Sequence, residues 1–134
     1  KAPLVWSHSS VTRTRQPTWS MPVNRSRQLP LESAKAIAAG GGVVGLWSLP
    51  SDVGRSFTAY ADRMIELADW LGEDHAAFGT DMNAISNPAI RSYGDLQRVV
   101  SHWRRAGMPE ARIRKLAIEN YVRVLRAAFE AKQA

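Results

Sequence analysis

The chain has 134 residues, a formal net charge of +6 and no cysteine, so we expect one ordinary domain without disulfides, cysteine-ligated zinc or thiol catalysis. Hydrophobic residues make up 45% and charged residues 22%, which is the balance of a folded globular protein and not of a disordered one. Because no run of about 18 apolar residues occurs, the sequence predicts no membrane span.

The first third of the sequence predicts a strand, a long loop and a helix. Lys1 opens the chain in place of an initiator methionine, and we therefore expect a piece of a longer protein. Residues 3–7 form an apolar run that predicts a short buried strand ending at His8. Residues 11–30 contain three prolines with several serines and arginines and predict a long irregular loop, a type of segment that is often functional. Residues 30–39 predict a helix, because a proline suits its first turn and three glycines follow it.

Strands and helices continue to alternate through the middle of the chain. Short runs over 43–47 and 75–80 predict two more strands, and residues 50–54 predict a loop. Apolar residues at three- and four-residue steps predict an amphipathic helix over 57–71, with Gly72 as the residue that ends it. Apolar strands that alternate with helices favour a parallel sheet covered by helices.

Two helices are predicted in the C-terminal part. Ser92 and Asp95 form a weak capping box for a helix over 93–105, and Gly107 breaks the chain after it. Pro109 then starts a last helix. Its predicted apolar face consists of Ile113, Leu116, Ala117, Tyr121, Val124, Leu125 and Ala128.

The candidate functional residues follow from this alternation, since functional side chains of parallel sheets lie beyond the carboxyl ends of the strands. The places selected are His8 with the loop that follows it, the segment 47–52 and the segment 81–83, which begins with Asp81. From its position, His8 is a metal ligand, a general base or a hydrogen-bonded turn residue. Asp81 is a general base, a carboxylate beside a metal, or a cap or turn residue. One histidine and one aspartate do not make a metal site, so the sequence predicts no complete catalytic set within the chain.

Positive charge is concentrated at the two ends of the sequence. Residues 1–31 carry a net charge of +5, residues 32–99 carry −4 and residues 100–134 carry +5. Arginines of the first block lie in the predicted loop, where guanidinium groups can bind a carboxylate or a phosphate through paired hydrogen bonds. The last block is interpreted as a solvated helix face, with a basic nucleic-acid-binding module as the rival interpretation. The residues of that rival are Arg104, Arg105, Arg112, Arg114 and Lys115.

Five short motifs follow one another along the chain: Ser7-His8-Ser9 at a strand end, Arg27-Gln28-Leu29-Pro30 before a helix, Gly41-Gly42-Val43-Val44, the segment from Asp74-His75 through Gly79 to Asp81, and a closing helix with Asn120-Tyr121-Val122-Arg123. In this order they resemble the last third of the membrane (renal) dipeptidases, a family of zinc peptidases, across nearly the whole chain. The resemblance implies an α/β fold, the C-terminal part of a (β/α)8 TIM barrel with about three βα units. Residues 1–134 are then expected to be the C-terminal segment of a metallo-dipeptidase barrel, incomplete alone.

The resemblance also implies a function, the metal-dependent hydrolysis of dipeptides at a binuclear zinc site. His8 would be one ligand of the second zinc ion, Asp81 the catalytic aspartate beside the metal-bridging water, and Arg27 the residue that binds the free carboxylate of a dipeptide. The remaining ligands of the two zinc ions are expected in an N-terminal part of the same barrel, outside this chain. The expected partners are a dipeptide substrate, that N-terminal part and, as a further candidate, a second copy in a homodimer, with no nucleic acid and no membrane span.

Two departures from the family pattern leave alternatives open. His8 and Arg27 lie 19 residues apart, several more than the family usually shows. The alternative carboxylate partners are the other arginines of the loop, Arg13, Arg15 and Arg25. Where the family commonly has Asp-Phe-Asp-Gly, the chain reads Asp81-Met82-Asn83-Ala84 and lacks one acid and one glycine. The alternative function is a degenerate or inactive barrel relative that binds a ligand or carries out other amidohydrolase-type chemistry.

Overall fold

The computed structural model describes residues 3–11 and 28–133. Its strands are β1 (Val5–Ser9), β2 (Val43–Leu46) and β3 (Ala76–Phe78). Its α-helices are α1 (Leu31–Ala39), α2 (Pro50–Val53), α3 (Phe57–Leu71), α4 (Tyr93–Arg105), α5 (Glu110–Arg114) and α6 (Asn120–Gln133), with a π-helical segment, Lys115–Glu119, between α5 and α6. No helix in the described stretches is long and apolar enough to cross a membrane.

The three strands form one parallel sheet in the order β1-β2-β3. Val5 is the register partner of Val43 in the first pair, and Leu46 is the partner of Phe78 in the second. Helix α1 connects β1 to β2, and helices α2 and α3 connect β2 to β3, as the crossovers of a parallel sheet require. The predicted parallel α/β arrangement is confirmed, and the carboxyl ends of all three strands lie at the same end of the sheet.

The core lies between the sheet and helices α1, α3 and α4. Val44 and Leu46 of β2 are completely buried in the same apolar cluster as Tyr60 of α3 and Trp103 of α4. The Tyr60 hydroxyl donates to the Leu46 carbonyl oxygen at 2.7 Å, and burial raises the pKa of Tyr60. The ring of Trp103 stacks on Phe78 of β3 with centroids 5.8 Å apart. Helices α3 and α4 therefore contact β2 and β3 near the carboxyl ends of these two strands.

Strand β1 is more exposed than the sequence predicts. Its apolar run predicts burial, but Leu4 is 51% exposed and Trp6 is 44% exposed. Within the described residues β1 pairs only with β2, so its other edge is open. An apolar run predicts a strand that packs against other elements. How far the strand is buried depends on which elements lie beside it.

Two predictions about the helices were wrong. Residues 50–54 are predicted as a loop but contain helix α2, because Pro50 suits the first helical position and Gly54 ends the helix with a φ of 89°. The last helix is predicted as one continuous α-helix but contains the π-helical segment. A π turn holds more residues than an α turn, so the predicted apolar face no longer applies beyond it. Tyr121 and Leu125 are each 42% exposed, whereas Val124 is buried as predicted.

The predicted helix ends agree better with the structure. The Ser92 hydroxyl accepts a hydrogen bond from the backbone N–H of Asp95 at 3.3 Å, as in a capping box. The Asp95 carboxylate accepts from the N–H of Arg91 at 3.0 Å, one residue earlier than the box requires. Gly72 ends α3 with a φ of 91°, a conformation that glycine adopts without steric cost.

Candidate functional site

His8 and Asp81 lie at the carboxyl ends of the two outer strands, with β2 between them. Two strand spacings of about 4.8 Å each therefore separate the backbones that carry them. Both residues have a positive φ, 38° for His8 and 52° for Asp81, which is costly for a residue with a side chain. Among the described residues Asn87, with a φ of 50°, is the only other non-glycine residue of this kind. Two of the three described non-glycine residues with a positive φ are thus the residues that the sequence pattern also selects, and such conformations are frequent at functional sites.

His8 is exposed and lies inside a β-bulge. The register of β1 against β2 shifts between Trp6 and Ser9, and regular pairing resumes at Ser9. The Ser9 carbonyl oxygen accepts a hydrogen bond from the N–H of Trp47 at 2.8 Å, which fixes the end of the strand. Bulges redirect side chains and occur next to active sites, and the sequence carries no signal for this one.

An open cleft of about 410 Å³ lies beside His8. Its walls are formed by the end of β1 and by the segment that precedes helix α1. The lining residues are Trp6, Ser7, His8, Ser9, Gln28, Leu29 and Pro30. The imidazole thus borders a space large enough for a small ligand.

Backbone hydrogen bonds hold Asp81 from both sides. The carbonyl oxygen of the preceding residue, Thr80, accepts from the Ser48 hydroxyl at 2.6 Å and from the Ser48 N–H at 2.9 Å. The Asp81 carbonyl oxygen accepts from the N–H groups of Ala84 and Ile85 at 3.1 and 3.2 Å. Asp81 therefore also starts a turn, and a turn residue is one of the alternatives that the sequence analysis gives for it. Its half-buried side chain lies just beyond the end of β3.

Asp52 is a buried carboxylate in the segment selected after β2, although the sequence did not single it out. It is 4% exposed, and its Oδ2 accepts from the indole N–H of Trp47 at 2.7 Å. Its Oδ1 accepts from the side-chain amide of Gln28 at 2.9 Å. Burial raises the pKa of Asp52, and the hydrogen bonds and the charge of Arg63 partly offset that effect. The sequence feature that could have identified Asp52 is its position as an acidic residue in the first turn of a helix that begins at Pro50.

The arginines considered as carboxylate partners, Arg13, Arg15, Arg25 and Arg27, lie outside the described residues. The residues on either side of them meet at the end of β1. Val11 and Leu29 form a parallel bridge, and the Leu29 N–H donates to the Ser10 carbonyl oxygen at 2.7 Å. Buried Arg63 donates to the Val11 carbonyl oxygen at 2.6 Å. The predicted loop thus begins and ends next to the cleft that His8 borders.

The described residues do not complete a metal centre. Residues 3–11 and 28–133 contain no group of three or more histidine, cysteine, aspartate or glutamate side chains that could hold a metal ion. An imidazole such as that of His8 and a carboxylate such as that of Asp81 are both common zinc ligands. The chemistry of these donors fits zinc, but further ligands are needed to hold the ion.

Four of the five basic residues that favour nucleic-acid binding form ion pairs with carboxylates. The pairs are Arg104–Glu110, Arg112–Asp69, Arg114–Glu119 and Lys115 with both Glu73 and Asp74, all within 2.9 Å. Exposed ion pairs of this kind add little to stability. They do reduce the unpaired positive charge available to phosphates, so the structure favours the solvated helix face.

Comparison with known proteins points to one family. The family model described as membrane dipeptidase, peptidase family M19, matches residues 1–134. No curated protein sequence matches the chain.

Three solved structures share the fold, each with a TM-score of 0.74. An amidohydrolase from Pseudomonas aeruginosa is 24% identical, over 95% of this chain and 46% of its own. Dipeptidase AC, a metallopeptidase of family M19, is 27% identical, over 94% of this chain and 38% of its own. A metallopeptidase from Rhodobacter sphaeroides, liganded with a phosphinate mimic of the dipeptide L-Ala-D-Ala, is 27% identical, over 94% of this chain and 36% of its own. The chain thus spans less than half the length of each of these proteins.

Proposed function

The chain belongs to the membrane dipeptidase family, a family of metallopeptidases, and from this premise we propose that it takes part in the metal-dependent hydrolysis of dipeptides. The observation that carries the proposal is the pair His8 and Asp81, each in a strained conformation at the carboxyl end of a parallel strand. A related metallopeptidase binds a phosphinate mimic of a dipeptide, which supports a dipeptide as the substrate class here.

We also propose that the chain is the C-terminal part of a (β/α)8 barrel whose N-terminal part supplies the other strands. Three parallel strands do not close a barrel, and both outer strands have an open edge within the described residues. Exposed Leu4, just before β1, and exposed Trp6, within β1, are the side chains that additional elements would cover. A second copy in a homodimer stays a prediction.

The proposed roles follow from the chemistry of the side chains. His8 would provide one imidazole ligand, and the remaining ligands would come from the N-terminal part. Two zinc ions, when bound, would polarise the scissile carbonyl and lower the pKa of the attacking water. Asp81 would take a proton from that water and return it to the leaving amine. Arg27 would hold the free carboxylate of the dipeptide through two parallel hydrogen bonds, with Arg13, Arg15 and Arg25 as alternatives.

A second candidate is a degenerate relative that binds a ligand without hydrolysing peptides. It is favoured by Asn83 and Ala84, which follow Asp81 at positions where the family commonly has an acid and a glycine. The loss of one carboxylate changes the charge and the shape of the proposed site.

One experiment separates these candidates. The complete protein that contains this chain is purified, its metal content is measured by mass spectrometry, and hydrolysis is assayed with L-L and L-D dipeptides. Two zinc ions per protomer together with turnover support the peptidase. No zinc and no turnover support the degenerate relative, whereas salt-sensitive binding of DNA or RNA would support the nucleic-acid module.

A further inference from the structure

Asp52 joins three segments at the carboxyl end of the sheet, and we propose that it is a positioning residue that sets the wall of the cleft beside His8. The three segments are the end of β2 with Trp47, helix α2 with Asp52 itself, and the segment before α1 with Gln28. The inference rests on the proposed function, because it assigns to this cleft the binding of the dipeptide.

The carboxylate of Asp52 accepts a hydrogen bond on each of its two oxygens. One carboxylate oxygen accepts from the Trp47 indole at 2.7 Å and the other accepts from the Gln28 amide at 2.9 Å. Both partners present N–H groups, and an ionised carboxylate accepts on both oxygens. An asparagine of the same shape would keep its oxygen for the Trp47 indole and turn its NH2 group toward Gln28, whose side-chain oxygen can rotate to accept from it. Alanine removes both acceptors, so it is the substitution that tests the network.

The buried part of the network gives Asp52 its fixed position. Asp52 is 4% exposed and Trp47 is 2% exposed, so neither side chain can reach water by a simple rotation. The N–H of Trp47 donates to the Ser9 carbonyl oxygen, which ties the same residue to the end of β1. Gln28 is the member of the network that reaches the surface, and it lines the cleft that His8 also lines.

This arrangement predicts a specific kinetic effect. Loss of the bond between Asp52 and Gln28 removes the contact that ties the Gln28 side chain to helix α2. The backbone beside it stays tied through the Leu29 N–H, and the backbone at His8 and Asp81 keeps its own hydrogen bonds. Substrate binding should weaken while the chemical step is preserved, which raises KM and leaves kcat nearly unchanged.

The first test replaces Asp52 by alanine in the complete protein and measures dipeptide hydrolysis. We expect KM to rise about five-fold, the usual effect of one lost hydrogen bond, with kcat changed less than about two-fold. The matched control is Asp95→Ala, since Asp95 is also buried but lies at the start of α4. An unchanged KM, or an equal change in both variants, would overturn the inference.

The second test uses Gln28→Ala, which removes the partner at the surface of the network. Alone it should raise KM, and the double variant with Asp52→Ala should be no worse than Asp52→Ala by itself, because that variant already lacks the contact with Gln28. Additive effects would overturn the inference.

Crystal structures of the wild type and of Asp52→Ala give an answer that does not depend on activity. A Gln28 side chain that leaves the cleft wall in the variant supports the positioning role, even if the wild type hydrolyses no dipeptide and the proposed function fails. A Gln28 side chain that stays in place, with the cleft unchanged, contradicts it.

Discussion

Ser48 donates two hydrogen bonds to a single atom, the carbonyl oxygen of Thr80, from its hydroxyl at 2.6 Å and from its backbone N–H at 2.9 Å. Ser48 is completely buried and follows β2, while Thr80 follows β3 and directly precedes Asp81. The carbonyl oxygen of Ser48 in turn accepts from the N–H of Ala89 at 2.9 Å. The position of the candidate catalytic carboxylate thus depends on a residue of the neighbouring strand.

Replacement of Ser48 by alanine removes the hydroxyl bond and keeps the backbone bond. We expect the free energy of unfolding to fall by about 1 kcal/mol, the usual net contribution of one hydrogen bond. We also expect kcat for dipeptide hydrolysis to fall several-fold, since the backbone before Asp81 is held less firmly. Urea denaturation and steady-state kinetics measure the two effects. The control is Ser33→Ala at an exposed position of α1, and equal effects of the two substitutions would contradict the role of Ser48.

Replacement of Asp81 by asparagine should remove hydrolysis without unfolding the protein. The loss of a general acid and base reduces rates by about 10²- to 10⁴-fold, whereas a half-buried residue at a turn contributes little to the core. Circular dichroism and dipeptide assays on the complete protein measure both properties. Asp62→Asn, at a largely exposed carboxylate of α3, is the control. Turnover within two-fold of the wild type in Asp81→Asn would reject the assignment.

Replacement of His8 by alanine should lower the zinc content of the complete protein, because one imidazole ligand is removed. His75→Ala is the control, since the His75 ring lies at the opposite end of the sheet and hydrogen-bonds to the Gly42 carbonyl oxygen at 2.8 Å. Metal analysis after dialysis gives the result. Equal zinc content in the wild type and in His8→Ala would reject His8 as a ligand.

Replacement of Gly79 by alanine should destabilise the sheet next to the site. An added Cβ would lie 2.7 Å from the carbonyl carbon of Gly45, so β2 and β3 would have to move apart. We expect a loss of about 1–3 kcal/mol in the free energy of unfolding, as for other overpacked positions. Gly94→Ala is the control, because an added Cβ there has its nearest neighbour at 3.4 Å, within ordinary contact distance. That control should leave stability unchanged or raise it slightly, and a similar loss in both variants would contradict the role of the close strand approach.

The stability of the protein should depend on pH through Asp52. Burial raises the pKa of Asp52 above its ordinary value of 3.8, so the folded protein keeps a proton that the unfolded chain releases as the pH passes that value. The free energy of unfolding therefore falls as the pH rises from 3.8 to the pKa of the folded protein, and no further change comes from this group above it. Asp52→Asn lacks this contribution. Urea midpoints of both proteins between about pH 3.5 and pH 7 should differ in slope, and parallel curves would contradict the prediction.

The parallel direction of the strands could be predicted from the sequence, because short apolar runs alternate with helices whose apolar residues recur at helical spacing. The positions of His8 and Asp81 at the carboxyl ends followed from the same alternation. Glycines marked several ends correctly, as Gly72 shows at the end of α3.

The features missed by the sequence depend on contacts between distant segments. The partners of Asp52 lie in two other segments, one of them 24 residues away, and no local pattern predicts that they meet. The exposure of Trp6 depends on which elements lie beside β1. The bulge around His8 is a local shift of register, and strand propensity does not indicate where such a shift occurs.

The π-helical segment Lys115–Glu119 has a consequence for the spacing of the C-terminal helix. Each α-helical residue advances by about 100°, so one residue more or fewer in this turn would rotate all of α6 by that angle. Asn120 now donates to the carbonyl oxygens of Glu73 and Ala76 at 2.8 and 2.9 Å. A deletion that converts the segment to a regular α-helix would turn Asn120 away from these acceptors. The number of residues in this segment therefore determines which side chains of α6 face β3.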